Sequence, residues 1–289
     1  MGSVLANILV TGCVYTLIAM GLTMVYGMLR ILHIVHAGIF ALGAMIGLFA
    51  FRGVGLAFWP ALAVGTLAAG LAGVAVYHLG YRWVLDAPRG TPLLVSIGLF
   101  IALQALMERP FLLGPYTSPF PADVGLPPLA VGSVRITPEQ SAILLATAVA
   151  GLLVWLLLAR SRLGLGWRAL SEDMNMARSL GVPAERAVVL NMFLGSAMAG
   201  LAGVLVAVYD NEVSAHMGEV VAYKAFVIVV LGGLGSVLGA AVAGFLLAAV
   251  EIGSSVAFGG FFPRDAIGFA VLILVLLFAP TGLFGKRLD

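Results

Sequence analysis

Charge and cysteine are the two things this chain has least of. Only 10% of its 289 residues are Asp, Glu, Lys or Arg, against 62% hydrophobic, where an ordinary soluble domain carries roughly 25% charged residues. That shortage excludes a water-covered globule. The one cysteine, Cys13, lies within an apolar run, which rules out an intrachain disulfide and a cysteine-built metal site and leaves the redox compartment unread. No G-x-x-x-x-G-K-[ST] phosphate loop is present, because Gly285-Lys286 is followed by Arg287 and lacks the upstream glycine. The chain cannot hydrolyse ATP by that route. Asp, Glu, Lys and Arg are nearly missing from the middle of the apolar runs, where proton-relaying membrane proteins keep them. Energy for any active process must therefore come from elsewhere. The net charge of +2 says little, since the placement of Lys and Arg matters more in a membrane chain than their sum.

What the sequence does have is apolar length. Mean hydropathy is +1.13, and apolar runs occur near 4–28, 34–51, 57–80, 92–108, 139–158, 188–209, 222–256 and 265–280. Each approaches or exceeds the ~20 residues that cross a hydrocarbon core as a helix. The runs are continuous rather than alternating, so they predict helices and not a barrel. The first has no positive residues before it and no small-residue cleavage site after it, which predicts a retained span rather than a signal peptide. The expected fold is an all-α, polytopic transmembrane bundle of about eight to nine spans, forming a single domain over 1–289. The run 222–256 is too long for one ordinary crossing. Its "LGGLGSVLGA", Leu231 to Ala240, predicts a broken helix or two short segments, since each glycine weakens a helix by roughly 1 kcal/mol relative to alanine.

Arginine bias sets the orientation. The 159–187 loop holds Arg160, Arg162, Arg168, Arg178 and Arg186, whereas 210–221 holds Asp210, Glu212 and Glu219. The first is expected inside and the second outside. Counting back places Arg82 and Arg89 inside and the amino terminus outside; Lys286 and Arg287 fall inside if 222–256 crosses twice, for nine crossings. Small residues recur every four positions at Gly43/Gly47, Gly65/Ala69/Gly73, Gly195/Ala199/Gly203 and Gly235/Gly239, the pattern of close helix approach in lipid. "AGLAGV" occurs at Ala69–Val74 and again at Ala199–Val204, in oppositely oriented spans. An inverted repeat and coincidence in an Ala- and Gly-rich chain account for it equally.

The charged stretch "RALSEDMNMARSLGVPAER", Arg168 to Arg186, has the grammar of a short helix. Ser171 is placed to cap it, Glu172 and Asp173 to occupy its first turn, and Gly181 with Pro183 to stop it, predicting a helix over about 172–180. Leu170, Met174, Ala177 and Gly181 would share a small apolar face. Such a helix either lies as a solvated element on the membrane surface or docks a partner.

Elsewhere, His33 and His36 stand one helical turn apart, but no further His or Cys clusters with them in sequence, so two polar residues near a hairpin end are a better account than a metal pair. Gly232, Gly233, Gly235 and Ser236 would expose backbone at membrane depth, fitting either a lined path or a tight helix crossing. Asn191 and Glu251 fall near predicted span ends and read as boundary residues.

Arg168 to Val182 resembles the cytoplasmic loop of branched-chain amino acid ABC transporter permeases, which have a run of the form RA-x-(A)ED-x-x-x-A-x-x-x-G-(I/V). "YTLIAMGLTMVYGMLRILHIVHAGIFALGA" from Tyr15, "GGLGSVLGA" from Gly232 and "LILVLLFAPTGLFG" from Leu272 are similar to further landmarks of that family, in its order. The resemblance implies a non-enzymatic permease subunit of an importer for branched-chain or similar small amino acids in a bacterial or archaeal inner membrane. It implies ATPase-coupling residues Arg168, Glu172, Asp173, Ala177 and Gly181, and a translocation path through His33, His36, Gly232, Gly233, Gly235 and Ser236. The implied partners are a second related permease chain (LivM-like), two ATP-binding subunits that use the ATP, and an extracytoplasmic substrate-binding protein; no cofactor, metal or nucleic acid is implied for this chain. The family commonly reads Asn-Phe-Ala-His-Gly where this chain reads His33-Ile34-Val35-His36-Ala37, which leaves the substrate open. Urea or short-chain amides are the alternative cargo, and an ion-coupled secondary transporter or an intramembrane His enzyme the rivals from other classes.

Overall fold

The computed structural model describes residues 2–285 except 86, 89, 132–133, 260 and 280; the expectations for Arg89, Lys286 and Arg287 lie outside the described residues. The long apolar helices are α1 (Gly2–Leu29), α2 (Val35–Arg52), α3 (Phe58–Leu79), α4 (Gly90–Met107), α5 (Pro138–Arg160), α8 (Ala184–Tyr209) and α10 (Val237–Ala257). These seven are long and apolar enough to cross a membrane, α3 running on through the turn Tyr81–Trp83. Two more apolar helices, α9 (Gly218–Gly232) and α11 (Arg264–Phe278), have 15 residues each, about 22 Å at the helical rise and short of the ~30 Å hydrocarbon core. The long run 222–256 is thus two helices, broken where Gly233 and Gly235 take φ of 97° and 86°, a conformation that side-chain-bearing residues avoid.

Glycines hold the bundle together. Gly65, Ala69 and Gly73 of α3 meet Val204, Gly200 and Ser196 of α8; one register climbs as the other falls, so the helices are antiparallel. The two "AGLAGV" copies therefore pack on each other, through Ala69 and Gly200. Gly43 of α2 also rests on Gly200, and Gly195 on Gly21 of α1. A methyl group at any of these would strike backbone or a side chain of the opposing helix, which is the expected consequence of small residues at four-residue spacing.

The connections gather at two ends of the bundle. At one, Arg30 donates to the carbonyls of Ser171 (3.2 Å) and Glu172 (3.4 Å), Gly27 abuts Trp167 and Gly235, and Leu283 and Phe284 donate to Leu231 and Gly232 carbonyls. At the other, the 109–137 connection carries a hairpin, β1 (Leu129–Val131) with β2 (Val134–Ile136). It is tied down by Arg52 on Pro119 O and by the Ser118–Val213 bridge.

The charged stretch forms two helices where one was expected. α6 (Arg162–Glu172) and α7 (Met174–Ser179) meet at Asp173, whose extended backbone interrupts the helix. Asp173 Oδ1 accepts from the Asn175 and Met176 N–H groups, both at 2.9 Å, so Asp173 and not Ser171 is the cap. Ser171 sits in the last turn of α6 and donates to Arg168 O at 2.8 Å. Both residue types cap well; the one whose backbone leaves the helix wins. Gly181 ends α7 as expected: its φ is 84°, its N–H donates to Arg178 O and that of Val182 to Ala177 O, the Schellman arrangement.

Candidate functional site

Between α1 and α2 the chain turns back into the bundle. His36 Nε2 lies 3.1 Å from Ile18 O, and Ile18 is roughly 16 Å back along α1 from Leu29 at about 1.5 Å per residue. Helix α2 therefore starts deep inside. Its first N–H groups have no cap from Ile34; instead Val35 N donates to Ser96 Oγ of α4 at 3.0 Å. The Tyr81 hydroxyl donates to the same Ser96 oxygen at 2.8 Å and lies 2.8 Å from His33 Nδ1. A chain of polar contacts, His33–Tyr81–Ser96–Val35, thus anchors the re-entrant segment to α3 and α4, as burial of polar groups requires.

This segment walls a cavity of about 410 Å³, with α4 and α9 on its other sides. Leu93, Ile97, Val221, Phe226 and Val229 make it apolar, and His33 and His36 border it. The two imidazoles are 1% and 2% exposed, with ring centres 5.6 Å apart. Of the path residues expected from sequence, these two reach the cavity; Gly232, Gly233, Gly235 and Ser236 do not line it, though their neighbour Leu234 does. Gly232 abuts the backbone of Gly239 and Ala240, Gly233 abuts Phe284 and Gly285, and Ser236 caps α10 by accepting from Gly239 N at 3.1 Å. The glycine run is a tight turn, because only glycine leaves room for those crossing backbones. The described residues hold no group of three or more His, Cys, Asp or Glu placed to bind a metal.

A second cavity, about 530 Å³, adjoins the first through Val221 and Ala225 and carries Asp210, Glu212, Lys224 and Arg264 at its wall. Beside it lies a polar cluster that sequence reading missed. Lys224 Nζ is 3.1 Å from Glu251 Oε2 and 2.7 Å from Tyr15 Oη, while Tyr15 donates to Glu251 at 2.6 Å. Asp265 stands 3.4 Å from the same ammonium. Glu251 is 1% exposed, so it is packed inside the bundle rather than solvated: α9 brings it a countercharge that hydropathy cannot register. Asn191, likewise read as a boundary, is buried between Trp167 Nε1 (3.0 Å) and Met24 O (2.9 Å). It ties α8 and α6 to α1.

Arg168, Glu172, Asp173, Ala177 and Gly181, which the sequence resemblance implied to couple to an ATPase, stand together on and around α6 and α7 at the Arg30 end. Ala177, on the small apolar face expected from sequence, is buried within this chain. The exposed apolar residues there are Leu163, Leu165, Met176 and Leu180, on and just after α6 and α7.

A bundle of long apolar helices with re-entrant backbone beside a half-open, nearly apolar cavity defines a multi-pass membrane protein. The chain belongs to the family described as "Branched-chain amino acid transport system / permease component", whose profile matches residues 4–280. It is 33% identical to the high-affinity branched-chain amino acid transport system permease protein LivH of Escherichia coli K12, over 95% of this chain and 92% of that one. Its identity to the permease protein BraD of Pseudomonas aeruginosa is 31%, over 98% and 95%. To the permease protein LivM of Escherichia coli K12 it is 29% identical, over 81% of this chain and 60% of that one. Family membership makes it a transport permease and not a member of an enzyme family, and its likeness to both LivH and LivM points to a permease pair.

Proposed function

We propose that this chain is one half of the membrane pathway of an ABC importer for leucine, isoleucine, valine or a similar small amino acid, in an inner membrane. The observation that carries the cargo reading is the cavity of about 410 Å³. Its size is that of a small-molecule site, and its wall is almost wholly apolar, as the side chain of such a cargo requires. A second related permease chain, which the LivM likeness supports, completes the pathway. Two ATP-binding subunits use the ATP and an extracytoplasmic binding protein delivers the cargo; this chain carries no cofactor and performs no covalent step. All nine long or short apolar helices cross the membrane, placing the Arg30 end and the carboxyl terminus in the cytoplasm.

The segment 159–187 couples transport to hydrolysis. Arg168, Glu172, Asp173 and Gly181 shape its two helices and their exit, Ala177 seats them on the bundle, and Met176 and Leu180 present apolar surface to the ATPase. Gly181→Arg forces a side chain into a left-handed backbone, which costs about 1–2 kcal/mol, too little to unfold the bundle. In purified, reconstituted complexes it should insert normally while substrate-stimulated ATP hydrolysis falls at least roughly tenfold, a barrier change of about 1.4 kcal/mol; Glu172→Lys should behave similarly and Glu139→Lys, at the opposite end, should not. Wild-type stimulation in both coupling variants would sink this reading. Urea and short-chain amides remain the alternative cargo, separated by uptake of labelled urea against labelled leucine. Uptake that survives ATP depletion would instead indicate ion coupling.

A further inference from the structure

The two adjoining cavities differ in chemistry as the two parts of an amino acid do. The first is walled by Leu93, Ile97, Phe226 and Val229, which suit a hydrocarbon side chain but offer no partner to an ammonium or a carboxylate, and a charge buried unpaired is costly. The second, about 530 Å³, meets the first at Val221 and Ala225, which wall both, and it carries charges of both signs. These stand on separate elements. Asp210 and Glu212 follow the end of α8, and Arg264 opens α11.

Two properties set these three charges apart from structural ones. The ion pairs of the described residues join Arg82 to Glu185, His216 to Glu108 and Glu219, and Lys224 to Glu251 and Asp265. Asp210, Glu212 and Arg264 belong to none of these, and all three are exposed at the wall of the cavity. Lys224, on the same wall, is spent, because its ammonium already faces Tyr15, Glu251 and Asp265. Asp210 and Arg264 also sit at helix ends of their own sign. Asp210 is the C-cap residue of α8 and Arg264 the first residue of α11, where the helix dipole disfavours an acid and a base respectively. Asp265, the acid that suits the start of α11, is turned to Lys224. A ligand ammonium beside Asp210 and a ligand carboxylate beside Arg264 are each favoured by the side chain and the helix end together. Partial burial first, and the Glu212 charge after it, push the Asp210 carboxyl above its ordinary 3.8, so this acid pair gains from a cation.

Building on the transport reading, we propose that the second cavity is the head-group site of a zwitterionic cargo: Arg264 receives the carboxylate, Asp210 and Glu212 receive the ammonium, and the side chain extends past Val221 and Ala225 into the apolar cavity. A cargo with one charge or none leaves an end of the site unmet. The site therefore selects amino acids over amines, acids and uncharged amides.

The test uses the purified complex of permease pair and ATPases, without binding protein. Labelled L-leucine is bound and then competed with isopentylamine, which keeps only the ammonium, and with 4-methylpentanoate, which keeps only the carboxylate. Each should compete at least about tenfold more weakly than leucine itself, the loss expected for one charge-assisted hydrogen bond. Arg264→Gln should weaken leucine about tenfold and leave the inhibition constant of isopentylamine unchanged. Asp210→Asn with Glu212→Gln should weaken leucine as much and leave that of 4-methylpentanoate unchanged. Neither variant should lower the thermal midpoint, because neither removes an ion pair. Equal loss of all three ligands in both variants, or an analogue that competes as well as leucine, overturns the inference. Wild-type leucine binding in both variants overturns it too, and if those variants lose stimulation by loaded binding protein the charges serve to dock that protein instead. Should leucine fail to bind a wild-type complex whose ATP hydrolysis responds to leucine-loaded binding protein, the inference falls and the transport reading stands; should hydrolysis not respond either, both fall.

Discussion

Lys224 and Glu251 show how much a single side chain can carry in this bundle. A buried ion pair contributes little against an apolar substitute of the same shape, but removing one partner strands the other and costs about 3–5 kcal/mol. Glu251 Oε1 has no hydrogen-bond partner and lies beside Gly268, so the pair is already short of full satisfaction. Lys224→Met should therefore lower the thermal midpoint in detergent sharply, Glu251→Leu somewhat less because Asp265 still faces the ammonium, and the double variant should recover most of the loss. Additive losses in the double variant would show that the two charges do not act as a pair. At the same scale, Gly181 was legible from sequence because a helix stop followed by proline demands a left-handed residue. Glu251 was not, because its partner lies 27 positions away on another helix.

Helices α4 and α9 are joined by His216 at the end of the bundle opposite Arg30. Its Nε2 is 2.6 Å from Glu108 and its Nδ1 2.7 Å from Glu219, with Gln104 completing the cluster at 2.6 Å from both His216 Nδ1 and Glu219 Oε1. Both nitrogens face carboxylates, an arrangement that favours the charged, doubly protonated ring. The hydrogen bond to Glu219 first, and that to Glu108 after it, push the His216 pKa above its ordinary 6.5. A raised folded pKa means the stabilisation is fully present below about 6.5, the unfolded value, and is lost as pH rises through the folded one. The thermal-midpoint difference between wild type and His216→Gln should be largest near pH 6 and shrink as pH rises through the raised folded value toward the alkaline range, where the imidazole loses its charge. A difference constant across that range would show that the ring is not charged. The break between α9 and α10 was readable from its glycines. The joint at Asp173 was misplaced because Ser171 is an equally good cap by residue type, and only the packing of α6 through Leu170 and Trp167 decides which residue leaves the helix.

For the whole molecule the arrangement of ends has one consequence for topology. In a Cys13→Ala background, a cysteine at Ser179 and one appended after Asp289 should both resist an impermeant thiol reagent in intact cells and react in inverted vesicles. A cysteine at Asp123 should show the reverse. If the appended cysteine labels from outside while Ser179 does not, eight crossings replace nine.

The sequence by itself determined that the chain is helical and membrane-embedded, which loops carry the arginines, where small residues permit close packing, and which family's landmarks it bears. The first three follow from composition, local backbone preference or spacing along one helix; the landmarks are a resemblance between residue strings. Only the tertiary structure decided that α2 starts midway up α1, that His33 and His36 border a cavity which the glycines do not line, and that Asn191 and Glu251 are core residues. Those outcomes depend on which distant backbone or charge arrives beside a side chain. Hydropathy averages along the chain, so it assigns the same value to a polar residue at a membrane boundary and to one buried against a partner from another helix.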